Sequence, residues 1–411
     1  MTIEKAHLYV EKYSKIQQEI LLDFVREDEF LYFKNYGDYT ENMHLSESGY
    51  EPTMLLLHGC VPMRKLYEGA MITVNMDKLL TLRREMRDFR YNVEDRNQNQ
   101  PAVVYFEVSD GEGFAELIDD QESSVSSYIR KEFIYTLDSS WDGPPCALDR
   151  MDDSFKLCIW NVGQGNTNSI FNQSHLALFD FGASIYYSKH QLERIYCDHI
   201  PPFEDKFQIS MIISHWDCDH YNLLCVADDV FLKKLCCVYY PPTIITLTAK
   251  QIAARIRKCC RYRVAIPPAR HTPSRQCGIH TVYEGEQYTL FTGDSHGNPN
   301  KSGLLLAVYS KTATAFLTAD HSNYQVWDQM YNYNGYMGRN NKTLHIVVPH
   351  HGGNCGKPTV QRAALPGTAV VSVGSNNYHH PHPATLAAYR CANYNLVRTD
   401  RMESDMIICM R

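Results

Sequence analysis

The sequence lacks long apolar runs. The longest uninterrupted candidates, such as residues 304–308, have the length of a strand, far below the roughly 20 residues that a membrane helix requires. Charges also interrupt the N-terminal stretch MTIEKAHLYVEKYSK, which excludes the apolar core of a signal peptide. We therefore expect a soluble, cytoplasmic protein with no membrane partner.

The sequence also lacks paired cysteine spacing. It contains 14 cysteines, yet no C-x-x-C occurs, and structural zinc sites usually require such pairs. Without an export signal, free buried thiols are expected rather than a disulfide framework.

An excess of positive charge is absent as well. The formal net charge of −7 argues against a generic nucleic-acid coat protein. Hydrophobic residues make up 44% and charged residues 21%, which is typical of a globular protein with a sizeable core. The length of 411 residues suggests two or three domains.

The N-terminal region has an α+β pattern but contains no motif that we can interpret. Apolar residues spaced by three or four predict an amphipathic helix over residues 1–30, which packs on the protein's own core or on a partner protein. Residues 71–75 and 102–108 read as strands, with a helix over 76–92 between them. Turn formers and charges place a boundary near 138–154, which predicts a smaller α+β region over 1–150 and a second domain over 155–411.

From residue 155 onward, short apolar strands alternate with turns and helices. They are predicted at 155–162, 176–181, 209–213, 315–319, 345–348 and 369–373. Several end directly in polar residues that bind metals. Rigid strands hold such side chains with little positional freedom, as metal coordination requires.

The clearest cluster follows the strand at 209–213. It offers His215, Asp217, Asp219 and His220, and imidazole with carboxylate suits zinc, manganese or iron. Further candidates follow other strands. They are Asp320, for which a helix N-cap is the alternative reading, the pair His350 and His351 before two glycines, and three histidines within 377–383.

These motifs resemble the metallo-β-lactamase superfamily, and specifically the hydrolase domain of ComEC-type competence proteins. Residues 215–220 resemble the superfamily's H-x-H-x-D-H, with Asp217 replacing the second histidine as in the ComEC-type branch. The other matching segments, in order, are Trp160 to Gly165, Phe179 to Gly182, Asn300 to Leu306, Leu317 to Asp320, Pro349 to Gly352, Ser372 to Gly374 and His380 to Pro383. The resemblance covers residues 155–411 and implies an α/β fold, the αββα metallo-β-lactamase sandwich.

The chain departs from this pattern at three residues. Asn161 and Asn166 replace acids on either side of Val-Gly-Gln-Gly, and Ala319 replaces the glycine of L-T-G-D. The family's membrane channel is also absent, so a role in DNA uptake is not implied.

The resemblance and the strand-end residues together predict a metallo-hydrolase with two divalent ions, Zn²⁺ or Mn²⁺. His215 and Asp217 would hold the first ion, and Asp219 and His220 would hold the second. Asp320 would bridge the two ions. His350 would complete the coordination and is a stronger candidate than His351. A hydroxide activated by the two metals would attack a phosphodiester. Asp219 is predicted to be a catalytic residue as well as a metal ligand. His380 or His382 would orient the phosphate or protonate the leaving group.

A basic stretch inside this domain offers two interpretations. Residues 250–275 carry no acid, and their charges could grip a phosphate backbone or simply form a solvated helix face. The predicted nucleic-acid contacts are Arg255, Arg257, Lys258, Arg261 and Arg263; Lys250, Arg270 and Arg275 belong to the same stretch.

Three functions therefore compete. The first is a nuclease or phosphodiesterase acting on nucleic acid or a nucleotide, which the resemblance associates with antiviral defence in bacteria. The second is a hydrolase of an ester, lactone or peptide, because the fold alone does not fix the substrate. The third is a partner-activated or non-catalytic subunit that docks through its N-terminal region.

Overall fold

A computed structural model describes the chain over residues 3–14, 17–35, 51–59, 66, 68–85, 102–108, 147–151, 154–200, 208–269, 278–294, 299–322, 325–330, 342–356, 359–376 and 379–411. The strands in these segments are β1 Lys5–Ser14, β2 Glu19–Phe24, β3 Met54–His58, β4 Met71–Asn75, β5 Val104–Val108, β6 Phe155–Ile159, β7 Thr167–Phe171, β8 His175–Phe181, β9 Gln208–Ile212, β10 Leu235–Tyr240, β11 Tyr262–Ala265, β12 Ile279–Glu284, β13 Tyr288–Gly293, β14 Leu304–Tyr309, β15 Ala313–Leu317, β16 Thr343–Val347, β17 Leu365–Val371, β18 Asn395–Arg398 and β19 Met406–Met410.

The α-helices of the described segments are α1 Glu27–Asn35, α2 Met76–Glu85, α3 Lys189–His199, α4 Asp229–Lys234, α5 Leu247–Cys259, α6 Pro299–Ser302 and α7 Pro383–Cys391. A π-helix spans Gln325–Met330, and short 3₁₀ turns include Cys218–His220 and Pro349–Gly352. Within the described residues, no helix combines the length and apolar character needed to cross a bilayer.

The chain forms two compact units. The first comprises Met1–Thr136 with Tyr186–Leu192 and Thr243–Arg255, and the second comprises the remainder. Two stretches of the predicted hydrolase region therefore belong to the first unit. The predicted boundary at 138–154 stays a prediction, because most of that segment lies outside the described residues.

The first unit is built on a five-stranded sheet of order β4-β1-β2-β3-β5. All neighbours pair antiparallel except β3 and β5, which are parallel. Helices α1 and α2 and the residue Leu247 contribute to its core. The buried carboxylate of Asp23 on β2 accepts hydrogen bonds from the Thr53 hydroxyl (2.6 Å) and from the backbone N–H of Thr248 (3.2 Å), so it holds the start of α5 in this unit.

The helix predicted for residues 1–30 is wrong. The structure places a β1–β2 hairpin over Lys5–Ser14 and Glu19–Phe24, and α1 begins only at Glu27. Ala6, Leu8 and Val10 alternate into one core, which is the two-residue period of a strand. A register shift between Val10 and Lys12 brings Tyr13 to the same core, and Tyr9 on the opposite face is buried as well. These apolar residues therefore follow the three- and four-residue spacing of a helix.

The second unit contains two seven-stranded sheets. The first has the order β11-β10-β9-β8-β7-β6-β19, with parallel pairing from β11 to β8, and the second has the order β12-β13-β14-β15-β16-β17-β18, with parallel pairing from β15 to β18. Residues of both sheets, such as Phe179 and Leu306, share one buried core. The two sheets therefore face each other.

Helices cover the outer faces of this sandwich. On the first sheet, Phe181 of β8 stacks on Phe231 of α4 (5.4 Å between ring centroids) and contacts Tyr196 of α3 (6.4 Å). On the second sheet, a separate core combines strand residues with Trp327 of the π-helix and Tyr389 of α7. The unit is a mixed α/β structure with the layer order helix, sheet, sheet, helix.

The predicted strands from residue 155 onward are confirmed. Each of the six predicted segments coincides with or overlaps an observed strand, namely β6, β8, β9, β15, β16 and β17. The predicted strands at 71–75 and 102–108 correspond to β4 and β5, and the described part of the predicted 76–92 helix is α2.

Candidate metal centre

The centre forms where β9 ends. After Ile212 the chain runs through Ser214 and His215 into the 3₁₀ turn Cys218–His220. The backbone is held on both sides, because Leu304 N–H donates to Ser214 O (2.8 Å) and Asn166 N–H donates to Asp219 O (3.0 Å). Gly182 makes this approach possible: a Cβ at that position would lie 2.1 Å from Asp219 O.

Two other strand ends bring further polar side chains to the same place. Asp320 follows β15, and its Oδ1 lies 3.3 Å from His220 Nε2, while its Oδ2 lies 3.9 Å from His215 Nε2 and 3.0 Å from His350 Nδ1. His351 follows β16, and its Nε2 lies 3.5 Å from Asp219 Oδ2 and 3.7 Å from Asp320 Oδ1.

Two groups of side chains have the geometry to hold an ion. His215, His220 and Asp320 form one, and Asp219, His220 and His351 form the other; in each, the ligand atoms lie within 4.8 Å of one another and all the residues are buried. His220 belongs to both groups. Asp217 adjoins the first, with its Oδ2 3.4 Å from His215 Nε2.

Hydrogen bonds fix the protons of two of these histidines on Nδ1. The Nδ1 of His220 lies 2.8 Å from the Asp180 carboxylate, and that of His351 lies 2.8 Å from the carbonyl oxygen of Ser372. Neither oxygen can donate, so both Nδ1 atoms must carry the proton. In its neutral form each imidazole therefore has its lone pair on Nε2, where a metal ion would displace any second proton.

His215 has the same arrangement through a hydroxyl. Ser214 Oγ donates its only proton to Asp180 (2.8 Å), so it must accept from His215 Nδ1 at 2.9 Å. Among the described residues, no hydrogen-bond partner is found for the Nε2 atoms of His215, His220 and His351 or for Asp320 Oδ1, all of them buried. Buried acceptors without donors are costly unless a cation satisfies them, so these side chains fit a divalent metal.

Asp180 anchors the outer hydrogen bonds of the centre. Its Oδ1 accepts from Ser214 N–H (2.6 Å), and its Oδ2 accepts from Ser214 Oγ, His220 Nδ1 and the amide of Asn166 (2.7 Å). The sequence placed Asp180 in a family motif without assigning it a role. The Asn166 side chain, which stands where the family pattern has an acid, donates to the carboxylate of Asp180. An acidic side chain at this position could donate that hydrogen bond only when protonated.

Backbone strain is concentrated around the centre. Asp180, Ala319, His350 and His351 adopt left-handed conformations with φ between 46° and 59°. Such conformations cost non-glycine residues about 1 kcal/mol or more and persist where the surroundings over-determine them. Three of these residues, Ala319, His350 and His351, lie where β15 and β16 end, beside Asp320.

The electrostatics of the centre are those of an anionic pocket. Burial by itself would lower the pKa of His220, but Asp320 and Asp180 outweigh it and hold that pKa well above its usual value. Burial would likewise raise the pKa of Asp320, but His350 and His220 hold it well below its usual range. A negative potential that retains protons on imidazoles also attracts a cation.

The six predicted metal residues lie together. His215, Asp217, Asp219, His220, Asp320 and His350 are linked directly or through His351 by contacts of 3.9 Å or less. The sequence placed His351 behind His350 as a ligand. In the structure the His351 side chain is more buried than that of His350 (4% against 19% exposed) and belongs to a group that could hold an ion. Adjacent histidines give no sequence signal for which one turns inward.

The two predicted acid–base histidines differ in position. The ring of His380 lies beside those of His350 (5.3 Å between centroids) and His351 (6.5 Å, stacked). His382 sits at the N-cap of α7, and its backbone N–H donates to Gly352 O (2.8 Å).

The predicted basic contacts do not line the centre. Strands β9, β10 and β11 are parallel, with Tyr262 level with Cys237 and Cys237 level with Ser210. The start of β11 is flanked by Arg257, Lys258 and Arg261, whereas His215 follows the end of β9. His215 is five residues beyond Ser210, which corresponds to about 17 Å along the strand direction at about 3.3 Å per residue.

The remaining basic residues have other positions. Arg263 donates to the carbonyls of Arg257 (3.1 Å) and Cys260 (2.9 Å) at the end of α5, and Arg255 is 9% exposed and belongs to the first unit. Arg270 and Arg275 lie outside the described residues.

Comparison with known proteins gives matches in structure only. No protein-family model matches the chain. No curated protein sequence matches it either.

Solved structures similar to this chain include proteins of the metallo-β-lactamase fold. YhfI from Bacillus subtilis matches with a TM-score of 0.35 and 12% identity, covering 62% of this chain and 99% of YhfI. The short form of human tRNase Z matches with a TM-score of 0.33 and 11% identity, covering 62% of this chain and 99% of tRNase Z. Tm1679, a metal-dependent hydrolase of the β-lactamase superfamily, matches with a TM-score of 0.33 and 12% identity, covering 62% of this chain and 98% of Tm1679. At this level of similarity, the activity of the chain must be argued from its own residues.

Proposed function

We propose that this chain is a metal-dependent hydrolase of the metallo-β-lactamase type that cleaves phosphodiester bonds in nucleic acid or a nucleotide. The observation that carries the proposal is the convergence of three buried Nε2 atoms on the carboxylate of Asp320. The Nδ1 atom of each of these three imidazoles is hydrogen-bonded to an oxygen of the protein, which orients the ring. That pattern is typical of metal-binding histidines.

Two divalent ions, Zn²⁺ or Mn²⁺, suit this mixture of imidazole and carboxylate. His215, His220 and Asp320 would hold one ion, with Asp217 beside them, and Asp219 with His351 would hold the other. When bound, such ions activate water and stabilise the charge that develops on the oxygens of a reacting phosphodiester.

The chain's own residues set the geometry of the reaction. Asp320 lies between the two groups and keeps their histidines from moving apart. Asp180 and Ser214 hold His220 and His215 in the proton state that leaves Nε2 available. His380 lies at the partly exposed edge of the centre, in a position to contact substrate.

A second candidate substrate class is supported by the position of the basic residues. Arg257, Lys258 and Arg261 lie at the far end of the first sheet, so an ester, lactone or peptide substrate would not require them. Charge reversal at Arg257 and Arg261 separates the two. Cleavage of long nucleic acid should fall and become less salt-sensitive if these residues grip the backbone, and should be unchanged otherwise.

The direct test is cleavage of labelled single- and double-stranded DNA and RNA by metal-free protein supplied with Zn²⁺, Mn²⁺ or Mg²⁺. Asp219→Ala should lose metal-dependent turnover and retain the fold. Asp149→Ala, which removes a carboxylate near the start of the second unit, is the matched control and should remain active. Full activity of Asp219→Ala would contradict the proposal.

Metal content gives an independent measurement. Elemental analysis should find up to two equivalents in the wild type and less in Asp219→Ala. A fully loaded protein that cleaves no nucleic acid would favour the ester hydrolase or the partner-activated subunit. The proposed role in antiviral defence, through a partner of the N-terminal region, depends on that result.

A further inference from the structure

Gln164 contacts His380, the predicted acid–base histidine whose ring lies beside those of His350 and His351. Its side chain is 4% exposed, and its Nε2 lies 3.3 Å from His380 Nδ1. An amide nitrogen can only donate, so His380 Nδ1 must accept. The neutral imidazole then carries its proton on Nε2.

The backbones that hold these two residues are tied together. Ser372 Oγ donates to the carbonyl oxygen of Gly165 (2.8 Å), which joins the loop of Gln164 to the end of β17. Asn376 then clamps His380 at both backbone groups, accepting from its N–H (3.1 Å) and donating to its carbonyl (2.9 Å). The contact between Gln164 and His380 is therefore preorganised.

The Nε2 edge of His380 lies against Gly353, in the turn that follows His350 and His351. A Cβ on Gly353 would come within 2.5 Å of His380 Nε2 and 2.8 Å of the His350 ring, so glycine makes room for this packing. His350 and His351 are the neighbouring rings, while His380 itself is only partly buried. The ring of His380 therefore borders the candidate centre at a partly exposed position.

We propose that Gln164 is a positioning residue that fixes His380 in the Nε2-protonated tautomer, so that His380 offers a hydrogen-bond donor to a non-bridging phosphate oxygen. This role rests on the proposed function. It assigns substrate positioning to His380 rather than to His382, which begins α7. An anionic oxygen matches a neutral N–H donor, whereas an imidazole with a bare Nε2 would repel it.

The tautomer can be measured without any turnover. In the full-length protein labelled with ¹⁵N-histidine, long-range ¹H–¹⁵N spectra distinguish the protonated from the bare ring nitrogen, and His380→Gln assigns the signals. The wild type should show a bare Nδ1 and a protonated Nε2. Gln164→Glu offers only acceptors and should reverse the pattern, and Gln164→Met should give a mixture. A wild type protonated at Nδ1, or a pattern indifferent to residue 164, would overturn the proposal.

Kinetics on the metal-loaded protein test the consequence. With bis(p-nitrophenyl) phosphate as the probe, Gln164→Glu should lower kcat/KM by about 10²-fold, the lower end of the range for loss of one donor to a developing oxyanion. Gln164→Met should lower it less, by about tenfold. Because both replacements are close to glutamine in size, a merely structural role would make Met at least as harmful as Glu, and that order would refute the positioning role. If the wild type does not hydrolyse the probe while the spectra show the expected tautomers, the proposed function fails and the assignment of Gln164 stands.

Discussion

Asp180→Asn gives the most specific test of how the centre is built. The carboxylate accepts four hydrogen bonds, and its Oδ2 alone receives three, from Ser214 Oγ, Asn166 and His220. Asparagine has the same shape and tolerates the left-handed backbone found here (φ 59°), so the substitution changes chemistry rather than conformation.

An amide cannot serve all of these donors. With Nδ2 in the place of Oδ2, it would face three donors, and in the opposite orientation it would face the N–H of Ser214. The orientation that costs less keeps the amide oxygen toward Ser214 Oγ, Asn166 and His220 and loses only the bond from Ser214 N–H. His220 then donates to a neutral oxygen in place of a carboxylate, which makes its Nε2 a weaker metal ligand. Replacing such an outer hydrogen-bond partner typically lowers metal affinity by about 10–100-fold, which corresponds to about 1.4–2.8 kcal/mol.

The assay is competition for Zn²⁺ and Mn²⁺ against a chromophoric chelator, with circular dichroism to verify folding. The matched control is Asp405→Asn, which removes a carboxylate that also pairs with a histidine, His199, at 3.0 Å. We expect weaker metal binding in Asp180→Asn and little change in Asp405→Asn. Unchanged affinity in a folded Asp180→Asn protein would refute the role assigned to Asp180.

Three further predictions follow from the structure. Gly182→Ala should destabilise the protein by about 1–3 kcal/mol or more, because its Cβ would collide with backbone atoms of Asp219; urea unfolding measures this, and unchanged stability would contradict it. Leu306→Ala should cost about 2–5 kcal/mol in the same assay, since its side chain is fully buried in the core between the sheets. Hydrogen bonds to Glu107 and Glu19 raise the pKa of His58 to about 9. The stability that protonated His58 contributes is therefore complete below about pH 6.5 and is lost as the pH rises through 9. Glu107→Gln should move that loss to lower pH, as NMR titration of His58 and thermal unfolding against pH would show.

The sequence pointed to the residues of the candidate metal centre because each follows a buried strand. Apolar runs of strand length ending in histidine or aspartate identify a sheet edge, and this signal is local. The order of the two adjacent histidines could not be found in this way. His350 and His351 both have left-handed backbones, and only the contact with Ser372 turns His351 inward.

The hairpin at the N-terminus shows where periodicity misleads. Because both faces of β1 are largely buried, its apolar residues satisfy a helical template as well as a strand template. The choice depended on pairing with β2 and β4, which lie at different distances along the chain. Pairing of this kind is a tertiary interaction, and local propensity does not report it.

The basic stretch shows the same limit for function. Its charges lie close together in sequence and suggested one binding surface. In the structure Arg263 is committed to the carbonyls at the end of α5, Arg255 belongs to the first unit, and the exposed members lie at the opposite end of the strands from His215.

The sequence by itself determined the strands of the second unit and the chemical types gathered at their ends, since both depend on residues adjacent in the chain. Only the tertiary structure decided which nitrogen of each histidine is free, because Asp180, Ser214 and Ser372 reach their histidines through the packing of separate strand ends. It also decided that residues 243–255 join the first unit, through the buried carboxylate of Asp23. Hydrogen bonds between residues distant in sequence exist only once the sheets have formed.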